Sequence, residues 1–441
     1  MNSNDLASLS RRDKLRGILL VIALVAATLW ITTRFLEPAP SRHIVLASGA
    51  GFGLYHQYAE RYKLILARDG VVLEERMTGG AAENLRLLHD PNSGVDVAFM
   101  QGGIVPSGEA ADIEMLASIY YEPLWVFYRA AGTLSRLNRL QGQRIAIGAE
   151  GSGTRAFVAP LLDLNAVKPD NSTLLPLGGE DAVRALQAGD VDAVLLVGGA
   201  QTPIIAKALR DPAIKLLSFS RADAYTRRFP YISKLILPAG AVDFGLNIPA
   251  QDVVLIGTKA MLVARAGLHP ALVNLLTDAT SEVHSKQGYF EAPGEFPAVS
   301  PVDIPVSADA VRHKRFGPSF IHRFLPFWVA TFVERFVLLV LPLILVVVPV
   351  VNYFPGFLRW RVRSRVYRWY GELALLERDV LSHQAPFPIE QWLQDLDRIE
   401  HAVEDIKVPT NLASEAYTLR EHVEMVRRTI MAKAGTRAPA T

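Results

Sequence analysis

The sequence predicts an α/β fold of two similar lobes with a cleft between them, flanked by transmembrane helices and followed by a C-terminal helical tail. Three observations predict it. Apolar strand-like runs alternate with helix-patterned stretches from residue 42 to 288. The pattern of strand, Gly-Gly, helix and strand occurs at 77–103 and again at 173–199. Two long uncharged runs bracket the whole region.

The elements follow in order. RHIVLAS (42–48) reads as a buried strand, GAGFG (49–53) as a glycine loop, and LYHQYAERYKLILARDG as an amphipathic helix. VVLEERMT is a strand, GGAAENLRLLHD a helix start, and VDVAFMQGG another strand. RIAIGAEGSGTRAFVAPLLD (144–163) repeats strand, glycine loop and helix. AIKLLSF (213–219) and DVVLIGTKAMLVAR (252–265) read as further strands, and 269–288 as a helix with Pro270 in its first turn. The alternation predicts mostly parallel strands. Two units are too few for a solenoid and instead give two lobes, whose junction is the preferred place for a small ligand.

The chain has 441 residues, half of them hydrophobic and 20% charged. Its mean hydropathy of +0.20 is high for a water-soluble protein and directs attention to the uncharged runs. The first, Gly17 to Thr33 within an expected span of 17–36, follows Arg11, Arg12, Lys14 and Arg16, which place 1–16 in the cytoplasm; a cleaved signal peptide is the competing reading. The second is the 23 uncharged residues between Arg335 and Arg359, with the span expected at 327–355, and it is followed by Arg359, Arg361, Arg363, Arg365 and Arg368. That basic block keeps the C-terminus inside. Both termini are then cytoplasmic at the inner membrane, and the binding domain, 41–322, faces the periplasmic or extracellular side. Lobe 1 is expected at about 41–125 and 235–322, lobe 2 at about 126–234, and the cytoplasmic tail at 357–441.

Much chemistry is excluded. There is no cysteine, so disulfides, thiolate metal sites and thiol catalysis are absent. The ten histidines are scattered without ligand spacing, so no metal site is expected. A net charge of +2, with the arginines gathered beside membrane segments, gives no nucleic-acid module. Gly49-x-Gly51-x-Gly53 opens a helix after a strand, but Leu54 stands where a dinucleotide fingerprint needs glycine. The alternative is a tight strand–helix turn. In Gly151-Ser152-Gly153-Thr154-Arg155 the hydroxyls either cap the helix or bind an anion, with Arg155 as counter-charge. A nucleophile elbow at Ser152 would need glycine at 150 and 154; Glu150 and Thr154 stand there, and Gly148 lies too early. Asn84 is either a capping residue or in the cleft, and Gln101 ends a strand at the edge where α/β ligands bind. Tyr120, Tyr121, Glu122 and Trp125 lie near the crossover between lobes, as core or as cleft lining.

With these motifs the chain resembles the TAXI-type solute receptors of TRAP transporters, in the periplasmic-binding-protein superfamily. The resemblance rests on SGAGFGLYH, TGGAAENLRLL, VDVAFMQGG, EPLWVFYR, GAEGSGTR, DVDAVLLVGGAQTP, RADAYTRRFPYISKLILPAG and HPALVNLL, in that order, and covers about 43–320. It implies a periplasmic-binding-protein-like (type II) domain that closes on a small organic anion, such as glutamate or a dicarboxylate, and delivers it to an ion-driven permease. No cofactor and no catalysis are implied. The ligand shell it implies is Gly49, Gly51, Gly53, Tyr55, Asn84, Gln101, Ser152, Thr154 and Arg155. The family's first loop carries threonines where Ala50, Phe52 and Leu54 stand here, which points to a bulkier or more apolar ligand. The chain further resembles a membrane-anchored subgroup.

In the tail, Ile389, Trp392, Leu393, Leu396, Ile399, Val403 and Ile406 recur near a 3.5 spacing, and 414–430 repeats the type after a turn at Pro409. A helical hairpin is expected, self-satisfied or pairing with a second subunit or another protein. The sequence therefore supports a tethered solute receptor first. A sensor relaying cleft closure to the tail is second, and an exported enzyme on the same scaffold is third. Arg155→Ala is expected to weaken anion binding at least about tenfold.

Overall fold

Ten strands form the sheet system in the order β2-β1-β3-β10-β4-β7-β5-β6, with β8 on β4 and β9 on β10. The computed structural model from which this is seen describes residues 11–35, 39–51, 53–106, 108–300, 303–318, 320–384, 386–404 and 413–435. The strands are β1 (His43–Ala47), β2 (Val72–Arg76), β3 (Val97–Gln101), β4 (Ile113–Tyr128), β5 (Arg144–Ala146), β6 (Thr173–Leu175), β7 (Ala193–Val197), β8 (Lys215–Leu216), β9 (Ser233–Leu237) and β10 (Val253–Arg265). The strand expected over 213–219 is only two residues long.

Each lobe has a parallel core, β2-β1-β3 in one and β6-β5-β7 in the other. The expectation of mostly parallel strands holds only there. β10 runs antiparallel to β3, β4 and β9, and β4 runs antiparallel to β7 and β8. The cause is that β4 and β10 are long enough to serve both lobes, their two halves packing in different cores. Residues Ile113–Tyr120 and Ala260–Ala264 lie in the first core, with Leu46, Phe99 and Leu276. Leu124–Tyr128 and Val253–Ile256 lie in the two cores of the second lobe. Leu235 and Leu237 pack there too.

Pro123 and Gly257 sit opposite each other where the strands pass between lobes. A Cβ on Gly257 would lie 2.7 Å from the Glu122 carbonyl oxygen and 2.8 Å from Pro123 Cα, so only glycine fits this crossing.

Helix α1 (Arg11–Phe35) precedes the sheet; α2 (Leu54–Arg68), α3 (Ala81–His89), α4 (Gly153–Leu164), α5 (Gly179–Ala188), α6 (Pro203–Arg210) and α7 (Ala222–Arg228) follow strands. Helices α8 (Pro270–His284), α9 (Ala308–Phe316) and α10 (Phe320–Phe324) complete lobe 1. Helix α11 (Phe327–Ser382) leads to α12 (Ile389–Glu404) and α13 (Ala413–Gly435).

Pro38–Val333 form one compact unit; Met1–Glu37 and Glu334–Thr441 form another. In α11, Phe327–Phe354 is apolar and long enough to cross a membrane. The apolar part of α1 is shorter, Ile18–Arg34, so flanking spans on both sides are not found among the described residues.

In the tail, the expected hairpin gains a third helix. Leu373, Leu376 and Val380 of α11 share a core with Trp392, Leu396, Ile399 and Val403 of α12 and Leu419, Val423, Val426 and Ile430 of α13. Trp392 Nε1 donates to Asp379 across this core at 2.7 Å. The turn expected at Pro409 and the apolar position Ile406 lie outside the described residues.

Candidate functional site

Five helices point their N-termini into one cavity of about 480 Å³ between the lobes. Its walls include Gly53, Leu54 and Tyr55 at the start of α2, Gly80 and Ala81 at α3, and Ser152, Gly153 and Thr154 at α4. Gly178 and Gly179 at α5 and Thr202 and Ile205 at α6 complete the ring. The cause is topological: each helix follows the carboxyl end of a strand, and the two sheets present those ends to each other.

Small residues make the approach possible. Gly80 has φ +124°, and a Cβ there would come 3.4 Å from the Gly153 amide. A Cβ on Gly199 would come 2.6 Å from Leu54 Cδ1. Among the described residues, no side-chain cap closes α2, α3, α5 or α6. Their first-turn amides are therefore directed at the cavity with the positive end of each helix dipole.

The sequence-predicted residues divide. Gly49, Gly53, Tyr55, Gln101, Ser152 and Thr154 line the cavity. Gly51 is exposed outside it, next to Met77. Asn84 is fully buried behind the wall. Its amide donates to the carbonyls of Ser48 (2.7 Å) and Phe99 (2.8 Å), and its oxygen accepts from the Thr78 hydroxyl at 2.6 Å. It thus ties β1, β3 and the Gly79-Gly80 loop together.

Arg155 is not among the lining residues either, although its Nη1 is buried without a hydrogen-bond partner among the described residues. Ser152 Oγ donates to the Ala149 carbonyl at 2.6 Å and accepts from the Arg155 amide at 3.2 Å, which makes it the N-cap of α4. Thr154 Oγ1 accepts from the Val197 amide at 3.2 Å, leaving its O–H to donate. Gln101 Nε2 donates across the lobe junction to the Gly153 carbonyl at 3.1 Å.

The floor holds what the predicted shell leaves out. Glu122, buried on β4, accepts from Tyr55 OH (3.0 Å) and Tyr120 OH (2.9 Å). Burial raises its carboxyl to about 7, and the two tyrosine hydroxyls partly offset that rise. The same burial, with Glu122 beside them, holds both phenols well above their usual range. His284 lies behind, accepting or donating at Tyr62 OH (3.0 Å) and stacked on Tyr120; burial lowers it to about 3. Glu122, Glu150 and Asp181 are the carboxylates of the wall, and no Lys, Arg or His lines it among the described residues. Anion binding here would rest on backbone amides and hydroxyls rather than on a side-chain cation. Gly178, Gly179 and Asp181 were legible as the second copy of the repeat; Glu122 had only its place near the crossover as a signal.

Fold and cavity define a two-lobed α/β binding domain of the periplasmic-binding-protein kind. The profile of the NMT1-like family matches residues 47–289, more than half of the chain, and the chain belongs to that family.

Among solved structures, the regulatory domain of CcmR from Synechocystis in complex with 2-PG is 17% identical. It covers 56% of this chain and 98% of its own, at a TM-score of 0.37. The periplasmic aliphatic sulphonate binding protein SsuA from Escherichia coli is 16% identical, covering 55% and 72%, at 0.36. The alkanesulfonate-binding protein SsuA from Xanthomonas axonopodis pv. citri bound to MOPS is 15% identical, covering 56% and 74%, also at 0.36. Likenesses this distant bear on neither ligand nor mechanism.

Proposed function

We propose that the protein is a membrane-anchored receptor that captures a small organic anion, a carboxylate, between its lobes and passes it to a TRAP-type permease. The observation that carries this reading is the convergence of the α2, α3, α4, α5 and α6 N-termini on one cavity. Uncapped first-turn amides and aligned dipoles favour negative charge, and a site of this size holds a metabolite-sized molecule. The carboxylate is met by amides of Leu54, Tyr55 and Ala81 on one side and by Thr154 and the Gly178-Gly179 turn on the other. Gly49, Gly53, Gln101 and Ser152 shape the wall; Asn84, Gly51 and Arg155 act behind or beside it.

The role is binding rather than turnover. The ordered motifs of the TAXI-type receptors support the transport assignment. The arginines beside both apolar runs support cytoplasmic termini with α1 as an uncleaved anchor.

A second reading, a sensor, is favoured by one feature: the single helix α11 carries both Phe327, packed in the lobe 1 core, and Leu373, packed in the tail core. Titration calorimetry of the full-length protein with a panel of organic acids tests the binding reading. Heats with at least one acid support it; a folded protein with no heat across the panel removes it.

A further inference from the structure

The first turn of α11 is set into lobe 1 rather than joined to it by a linker. Phe327 belongs to the lobe 1 core, and Ala330 and Thr331 are buried. Trp328 Nε1 donates to the Asp69 carbonyl at 2.7 Å, at the end of α2. Its ring lies under the Arg42 guanidinium at 4.5 Å. A Cβ on Gly70 would come 3.2 Å from Trp328 Nε1, so this socket is closed on both sides.

Just before the socket, Phe316 (66% exposed), Phe320 (75%) and Phe324 (73%) face solvent, with exposed Lys314 and Arg315 beside them. The Phe320 and Phe324 rings pack at 5.0 Å between centroids, tilted by 55°, and the Arg315 guanidinium lies 5.3 Å from the Phe316 ring. Large exposed aromatics mixed with cations are costly in water and are the composition of a bilayer interface.

We propose that Phe316, Phe320 and Phe324, with Lys314 and Arg315, form an interfacial collar. In it the rings enter the headgroup layer of a lipid bilayer and the cations meet lipid phosphates. The occupant follows from continuity: the apolar run begins at Phe327, three residues after Phe324, and the socket fixes that beginning to lobe 1. Lobe 1 is thereby seated on the membrane, and lobe 2 is the part free to move on closure. The inference rests on the reading of Phe327–Phe354 as a membrane span.

The chain has no cysteine, so single cysteines can be placed without removing any. Full-length Phe320→Cys, Phe324→Cys, Leu341→Cys and Phe244→Cys, each carrying the fluorophore NBD, are reconstituted in phosphatidylcholine–phosphatidylglycerol vesicles with a spin-labelled quencher lipid. Leu341 reports the apolar run, and Phe244, 90% exposed in lobe 2, is a chemically matched control. Labels at 320, 324 and 341 should be quenched about twofold or more and the label at 244 not at all. If 341 is quenched while 320 and 324 behave like 244, the collar is wrong and the span reading stands. If 341 is also unquenched, both fall. Blue-shifted but unquenched labels at 320 and 324 would mean that protein, such as a second copy, covers the rings, and would overturn the collar.

Discussion

Gln101 reaches from the end of β3 in lobe 1 to donate a 3.1 Å hydrogen bond to the carbonyl of Gly153, the first residue of α4 in lobe 2. The contact is buried, and it exists only while the lobes are together. Gln101→Leu keeps most of the volume and removes the donor, so the bond across the lobe junction is lost. The expected result is ligand affinity weakened about tenfold, ~1.4 kcal/mol, by calorimetry, with little change in melting temperature. Equal affinity would show that this bond does not hold the lobes closed.

The pH dependence of stability follows from Glu122. Its carboxyl is raised from 4.5 to about 7 in the folded protein, so the native state holds a proton that the unfolded chain releases. Its contribution is fully present below about 4.5 and lost as pH rises through about 7, at most ~3 kcal/mol. His284, lowered to about 3, acts oppositely, its contribution being lost as pH falls below its ordinary value. Because both proteins share His284, the comparison of wild type with Glu122→Gln isolates the carboxyl. Denaturant titrations at pH 5 and pH 8 should show Glu122→Gln gaining relative to wild type at the higher pH. A pH-independent difference would contradict this account.

Asn84 has no place in the cavity wall, yet its removal should be severe. Asn84→Leu leaves the Ser48 and Phe99 carbonyls without their donor inside the core. A loss of about 2–4 kcal/mol is expected from two unpaired buried groups, read from the denaturant midpoint. A variant that loses affinity at unchanged stability would instead return Asn84 to the ligand shell.

Thr154 and Arg155 are neighbours with opposite expected effects. Thr154→Val removes a hydroxyl that faces the cavity, and should weaken anion binding by about fivefold to tenfold. Arg155→Ala, by contrast, should change affinity less than about twofold, because the side chain does not line the cavity. The tenfold loss expected from sequence would mean that the guanidinium turns inward on binding.

At the crossing between lobes, Gly257→Ala would place a methyl 2.7 Å from the Glu122 carbonyl oxygen and 2.8 Å from Leu235 Cδ1. Overpacking there should lower stability by about 1–3 kcal/mol, seen as a reduced melting temperature. An unaltered melting temperature would mean that β4 and β10 separate easily at this point.

What was legible in the sequence was local. The strand, glycine-loop and helix units at 42–68 and 144–163 were readable because apolar period and glycine position are set within a few residues. The paired Gly-Gly turns were readable because 77–103 and 173–199 repeat one another. What escaped was set by long-range pairing. Nothing near 113–128 says that β4 serves two cores or runs against β7. The direction of the Arg155 side chain depends on the coil of the Gly148–Ser152 loop, where a Cβ on Gly148 would meet Ser152 Oγ at 2.8 Å. The importance of Glu122 depends on burial contributed by Tyr55, 67 residues away. In the tail, α11 continues helical past the apolar run, so the third bundle helix had no break in pattern to announce it.

On the proposed reading, the cavity recognises negative charge through helix N-terminal amides. The most direct test is calorimetry of the full-length protein with the best-binding carboxylic acid and with its primary amide, which is nearly the same size but uncharged. The amide should bind at least about a hundredfold more weakly, ~2.7 kcal/mol. Equal affinity of acid and amide would contradict it.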